Sequence, residues 1–123
     1  MTKRVLDVGN CSPDHASICE LIEERFAARV VQTHGAEDTL DALRNSAFDL
    51  VLVNRKLDRD YSDGLEIIKQ IKADAAIANV PVMMITNYDD QQSLAIQEGA
   101  VRGFGKLELH ESGTLERLTE ILG

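Results

Sequence analysis

Phe48-Asp49-Leu50-Val51-Leu52-Val53-Asn54 is the stretch that decides the fold. The run from Leu50 to Val53 is apolar at every position, so neither face of a strand here is suited to water. Such a strand is covered on both sides, as a central strand of a parallel sheet is. Helical spacing flanks it. Ala36, Leu40 and Leu43 place a helix over 36–45, and Leu65, Ile67, Ile68 and Ile71 place another after the polar stretch 54–64. Farther out, Val5-Leu6-Asp7-Val8 reads as a first strand closed by Gly9-Asn10. Arg29–Thr33 reads as a second strand, Val80–Ile85 as a fourth and Val101–Phe104 as a short fifth. Ser12 as cap, Pro13 in the first helical position and Asp14 at the positive end start a helix with Ile18, Leu21, Ile22 and Phe26 on its apolar face. Leu94, Ala95 and Glu98 belong to a helix stopped by Gly99, and Leu115, Leu118, Ile121 and Leu122 form the last one. The order βαβαβαβαβα implies right-handed crossovers. The expected architecture is a doubly wound α/β fold, a parallel sheet of order 2-1-3-4-5 between two helical layers.

A chain of 123 residues predicts one domain over 1–123, large enough to bury a core without disulfides or metal. Hydrophobic residues are 44% and charged residues 28%, which excludes a disordered chain. The net charge of −8 disfavours nucleic acid and anionic membranes as partners, since phosphates are repelled. No apolar run approaches the roughly 18 residues of a membrane span, and Met1-Thr2-Lys3-Arg4 leads into a strand rather than a signal peptide. Cys11 and Cys19 are too few for a disulfide scaffold and lie in no zinc-type spacing, so free thiols and a cytoplasmic location are expected.

In doubly wound sheets ligands bind outside the carboxyl ends of the strands, where the strand order reverses between strands 1 and 3. That rule directs attention to Gly9-Asn10-Cys11, Asn54 and Thr86. With the strands so placed, RVLDVGN (4–10), FDLVLVN (48–54), SDGLEIIKQIK (62–72), NVPVMMITNYDD (79–90) and QEGAVRGFGK (97–106) resemble the receiver domain of bacterial two-component response regulators along essentially the whole chain. The resemblance implies a flavodoxin-like three-layer sandwich. It also implies a signalling domain of a phosphorelay, in which an acidic pair after strand 1 holds Mg²⁺ and an aspartate ending strand 3 accepts the phosphoryl group. A hydroxyl after strand 4 and a lysine after strand 5 then contact that group.

Position by position, the chemistry departs from the family. The acidic pair falls on Gly9 and Asn10 and the acceptor on Asn54, whereas the hydroxyl, Thr86, and the lysine, Lys106, are present. The proline after the lysine is Leu107, and the aromatic switch position is Gly103, with Phe104 beside it. An amide is no nucleophile for an acyl phosphate, and Mg²⁺ generally asks for one or two carboxylates. The expectation is a pseudo-receiver with no enzymatic activity and no cofactor, Mg²⁺ included. It would act by phosphorylation-independent contact with a protein partner: a histidine kinase, another regulator, an output protein or a second copy in a homodimer. Tyr88 and Phe104 are the expected partner face. Two alternatives stand beside this reading. One is a working Mg²⁺-dependent receiver with a displaced acceptor, for which Asp58, Asp60 and Asp49 are the nearest carboxylates. The other is a small-anion site on Asn10, Asn54, Thr86 and Lys106.

Asp7 is a carboxylate inside an apolar strand. It is expected either to pair with Lys106, Arg102 or a backbone amide, or to lie at a strand edge with access to water. Cys11 beside the pocket is read as a turn residue or a redox-sensitive thiol, and Cys19 as packing. His15, His34 and His110 share no metal spacing and are read as surface or capping residues.

Overall fold

A computed structural model describes residues 2–123; Met1 lies outside the described residues. The strands are β1 (Lys3–Val8), β2 (Ala28–Thr33), β3 (Leu50–Asn54), β4 (Val82–Ile85) and β5 (Val101–Phe104). The helices are α1 (Ser12–Arg25), α2 (Ala36–Asn45), α3 (Gly64–Ala73), α4 (Asp89–Gln97) and α5 (Ser112–Leu122), with a single 3-10 turn at Lys106–Glu108. The sheet order is β2-β1-β3-β4-β5 with every pairing parallel. This is the flavodoxin-like order expected from the alternation of elements.

Alternation along the strands builds two cores. Leu6, Val8, Val51, Val53, Val82 and Met84 face α2, α3 and α4, where Ile67, Ile68 and Ile71 are buried. Val5, Leu50, Leu52, Met83, Ile85 and Phe104 face α1 and α5, meeting Ile18, Ile22 and Leu118. Each fully buried aliphatic side chain contributes about 1.5–3 kcal/mol of transfer free energy. β3 supplies both cores, which is why its sequence has no polar face.

Several boundaries differ from expectation, β1 beginning at Lys3 rather than Val5 and β2 at Ala28 rather than Arg29. Cys11, not Ser12, is the N-cap of α1, and it makes no side-chain cap bond; Ser12 and Pro13 are already helical. β4 begins at Val82 rather than Val80. Pro81 precedes it, without an N–H to give the ladder, though its carbonyl accepts from Val51 N at 2.9 Å. α3 starts where the Asp63 carboxylate accepts the Leu65 N–H at 3.0 Å, a cap inside the stretch read from sequence as polar loop. Among the described residues no helix is long and apolar enough to cross a membrane.

Candidate functional site

The carboxyl ends of β1, β3, β4 and β5 converge at one end of the sheet. β1 is followed by Gly9, whose φ of +74° is costly for a residue with a Cβ. The space a side chain would take there is filled by Leu57, from the loop over 55–63 that joins β3 to α3. Leu57 is buried, and the loop is tied down beside it by the Asp58 N–H, which donates to Gly9 O at 3.0 Å.

Asn54 closes β3. Its Nδ2 donates to Lys56 O at 2.7 Å and to Gly9 O at 3.3 Å, so one amide satisfies carbonyls of two loops. Thr86 follows β4 and is buried; its Oγ1 accepts the Tyr88 N–H at 3.2 Å. Asn87 Oδ1 accepts the Leu107 N–H at 3.2 Å and fixes the turn that carries Lys106. Lys106 Nζ reaches Asp14 of α1 at 2.7 Å. Burial alone would raise Asp14, but the hydrogen bonds from Lys106 and from Cys11 outweigh it and hold the carboxyl below its ordinary range. Between these groups lies a cavity of about 350 Å³ lined by Cys11, Asn54, Arg55, Thr86, Tyr88 and Lys106 among others. A wider groove of about 580 Å³ at the opposite end of the sheet has Asp49 and Glu120 as its only charged lining.

The chain over 12–108 matches the response regulator receiver domain. The chain belongs to that family. Solved structures agree on the fold. The beryllofluoride-activated receiver domain of Klebsiella pneumoniae RstA superposes with a TM-score of 0.80 at 18% identity, over 98% of each chain. The Vibrio cholerae chemotaxis protein CheY4 gives 0.78 at 15% identity, over 99% of this chain and 100% of that one. A CheY-like receiver domain from Methylobacillus flagellatus gives 0.76 at 16% identity, over 100% of both. Receiver domains are the signalling modules of two-component systems, and that role extends to this one.

In this receiver domain the residues expected at the site do not all come together. Asn54, Thr86 and Lys106 line one cavity, and Gly9 lies outside its lining, joined to Asn54 through its carbonyl. Asn10 does not join them, because its side chain is buried and turned back along β1, with Nδ2 bonded to Asp7 Oδ1 at 2.5 Å. Asn10 therefore drops out of the small-anion set. Phe104 also leaves the expected partner face. It is fully buried against Ile85 and α5, while Tyr88 is exposed as expected. Of the carboxylates considered as displaced acceptors, Asp58 lines the cavity and stands 3.7 Å from His34. Asp60 accepts from Ser62, and Asp49 accepts the Arg4 N–H at 2.8 Å.

Asp7 pairs with neither Lys106 nor Arg102, and it has no access to water. It shares the face of Val5, which β1 presents to α1, and there His15 meets it: Nδ1 donates to Oδ2 at 2.6 Å. Lys106 is taken by Asp14 and Arg102 by Asp89 at 2.7 Å. His15 is thus a partner of a buried carboxylate rather than a surface residue. Its place on the core face could be read from its spacing of three and seven residues to Ile18 and Ile22. Cys19, read as packing, lies one turn along α1 with Sγ 3.4 Å from His15 Nε2. Burial, then the Glu23 and Asp7 carboxylates, push its thiol up. The residues missed from sequence are Leu57, Asp14 and Tyr61. Only Leu57 left a trace, as the sole apolar residue between Asn54 and Tyr61.

Proposed function

We propose that this receiver domain signals by protein–protein contact in a form that requires no phosphoryl transfer to position 54. Its partner would be a histidine kinase, another regulator or an output protein of a two-component pathway. The observation that carries the reading is the double donation of the Asn54 amide to Gly9 O and Lys56 O. That amide is no nucleophile, and it is spent on the two carbonyls a cation would use as oxygen ligands. Mg²⁺ does not fit the residues present. Gly9, Asn10 and Asn54 bring no carboxylate, and Leu57 fills the space over Gly9 with hydrocarbon. Lys106, whose charge in the family answers a phosphoryl group, is held by Asp14.

The test is the amide NMR spectrum of the ¹⁵N-labelled domain with and without Mg²⁺ plus beryllofluoride, together with intact mass after acetyl phosphate. Unmoved amides at Gly9, Asn54, Thr86 and Lys106 and no added phosphoryl mass are expected. Shifts clustered at those residues, or a mass gain, would overturn the proposal. A gain abolished by Asp58→Asn would move the acceptor to the carboxylate beside His34.

A further inference from the structure

We infer that the cavity at the carboxyl end of the sheet is a socket for an acidic segment of a partner protein, one carboxylate entering toward Lys106 and Thr86. The inference deepens the proposed contact role and rests on it. Three observations converge on the same rim.

The first is charge. The lining carries Arg55, Lys56 and Lys106 against Asp58, and even with Asp14 bound to Lys106 the cations outnumber the carboxylates, so this mouth is locally cationic on a chain of net charge −8. An acidic segment is repelled by the molecule at large and admitted here, which gives both orientation and selectivity.

The second is apolar exposure. Among the described residues, the three most exposed large hydrophobic side chains are Leu107 at 83%, Tyr61 at 79% and Tyr88 at 59%. Tyr61 and Tyr88 line the cavity, and Leu107 follows Lys106 in the chain. Aromatic anchors around a charged centre are the usual composition of an interface hot spot. The Arg55 guanidinium stacks on the Tyr88 ring, 5.3 Å from its centroid, which holds the cation at the mouth before anything binds.

The third is strain. Tyr61 is the one non-glycine residue with positive φ among those described, at +57°. The loop enforces it: Leu57 N donates to Ser62 O and Tyr61 N to Leu57 O, each at 2.9 Å. The exposed ring itself buries nothing in the core, and strained backbone of this kind concentrates at binding sites. Inside the socket, Thr86 Oγ1 accepts from Tyr88 and keeps its own proton to donate. Asn87 spends its oxygen on Leu107 and keeps its NH₂. Lys106 has three N–H groups, of which Asp14 needs one, so an entering carboxylate shares the lysine rather than displacing the pair.

The experiment pans a random-peptide phage library against the whole domain and titrates the enriched peptides, resynthesised, into the ¹⁵N-labelled protein. Peptides rich in Asp or Glu beside an apolar residue are expected, moving the amides of Arg55, Tyr61, Thr86, Asn87 and Lys106. Binding is expected to weaken about tenfold in Lys106→Gln and in Arg55→Gln. Tyr61→Gly separates binding from folding, since it relieves the positive φ: affinity falls while the unfolding midpoint holds or rises. The inference is overturned by no enrichment, by peptides without acidic bias, or by affinity unchanged in Tyr61→Gly. It is also overturned if inorganic phosphate alone gives the same shifts, which makes the cavity a small-ion site, or if the shifts follow protein concentration, which makes a second copy the occupant. Acetyl phosphate run in parallel tells the two proposals apart. Phosphoryl mass gain sinks the contact role itself, whereas failed peptide binding without mass gain sinks only the socket.

Discussion

Asp7 shows how one residue can be misplaced by sequence and then explained by register. Its alternation with Val5 turns it toward α1, into a site fully closed to water. Desolvation dominates and raises its pKa above 3.8, although hydrogen bonds from His15 and Asn10 and the charges of His15 and Lys106 pull the other way. Between 3.8 and that raised value the folded chain holds a proton the unfolded chain has released, so Asp7 costs stability as pH rises through this window. Asn10 Oδ1 is buried beside it with no partner. Asp7→Asn removes the buried charge, can still accept from His15, and can donate to that orphaned oxygen. It is expected to stabilise the domain near neutral pH by about 1 kcal/mol and to flatten the acid side of the stability profile. Asp7→Val strips both neighbours of their partner and is expected to cost about 1–3 kcal/mol. Urea denaturation across the acid range checks both; a Val variant as stable as the parent would show that the cluster has no structural value.

Two small constructions of the chain decide how the elements are coupled. The buried Gln92 of α4 donates to Met84 O at 3.0 Å and Thr86 O at 3.2 Å and accepts the Gly103 N–H at 2.9 Å, joining a helix to two strands where β5 slips register. Gln92→Ala leaves three buried backbone groups unpaired and is expected to cost about 2–4 kcal/mol, with faster hydrogen exchange at the Gly103 amide. The Asn54 amide plays the same part between the β1 end and the loop over 55–63. Asn54→Asp turns its donor into an anion facing two carbonyl oxygens, and denaturation is expected to show a loss of about 1–3 kcal/mol. The elements themselves were legible because burial on one or two faces writes a period into the sequence: Leu50–Val53 announced a central strand, and Ile67, Ile68 and Ile71 a helix against it. The site was legible only where a strand end implies a position, as at Gly9, Asn54, Thr86 and Lys106. Leu57 carries no period, and the irregular β5 turned Phe104 inward. The choice of Asp14 over Asp7 by Lys106 depends on how α1 sits across the strand ends, which no local pattern records.

At the scale of the whole molecule, the sheet is a partition. Ile68 packs in the layer of α2, α3 and α4, and Leu118 in the layer of α1 and α5, both with no exposed surface. The two side chains belong to separate core clusters with the sheet between them, so they share no packed volume, the condition under which substitutions usually add. Ile68→Val is expected to cost about 0.5–1.5 kcal/mol and Leu118→Ala about 2–5 kcal/mol. The double variant should show their sum to within about 0.5 kcal/mol. Leu118→Ala combined with Ile22→Val, within one layer, should depart from additivity by more, because the side chains share a packed volume. The comparison bears on signalling as well as stability. The socket draws on the loop after β3 and the turns after β4 and β5, and it touches α1 through Cys11 and the Lys106–Asp14 pair, so partner binding there reaches α1 directly and α5 through the strands. A coupling well above 0.5 kcal/mol between Ile68 and Leu118 in double-mutant denaturation would mean the sheet passes strain from one layer to the other. Additivity would confine the effect of binding to the rim and the elements it touches.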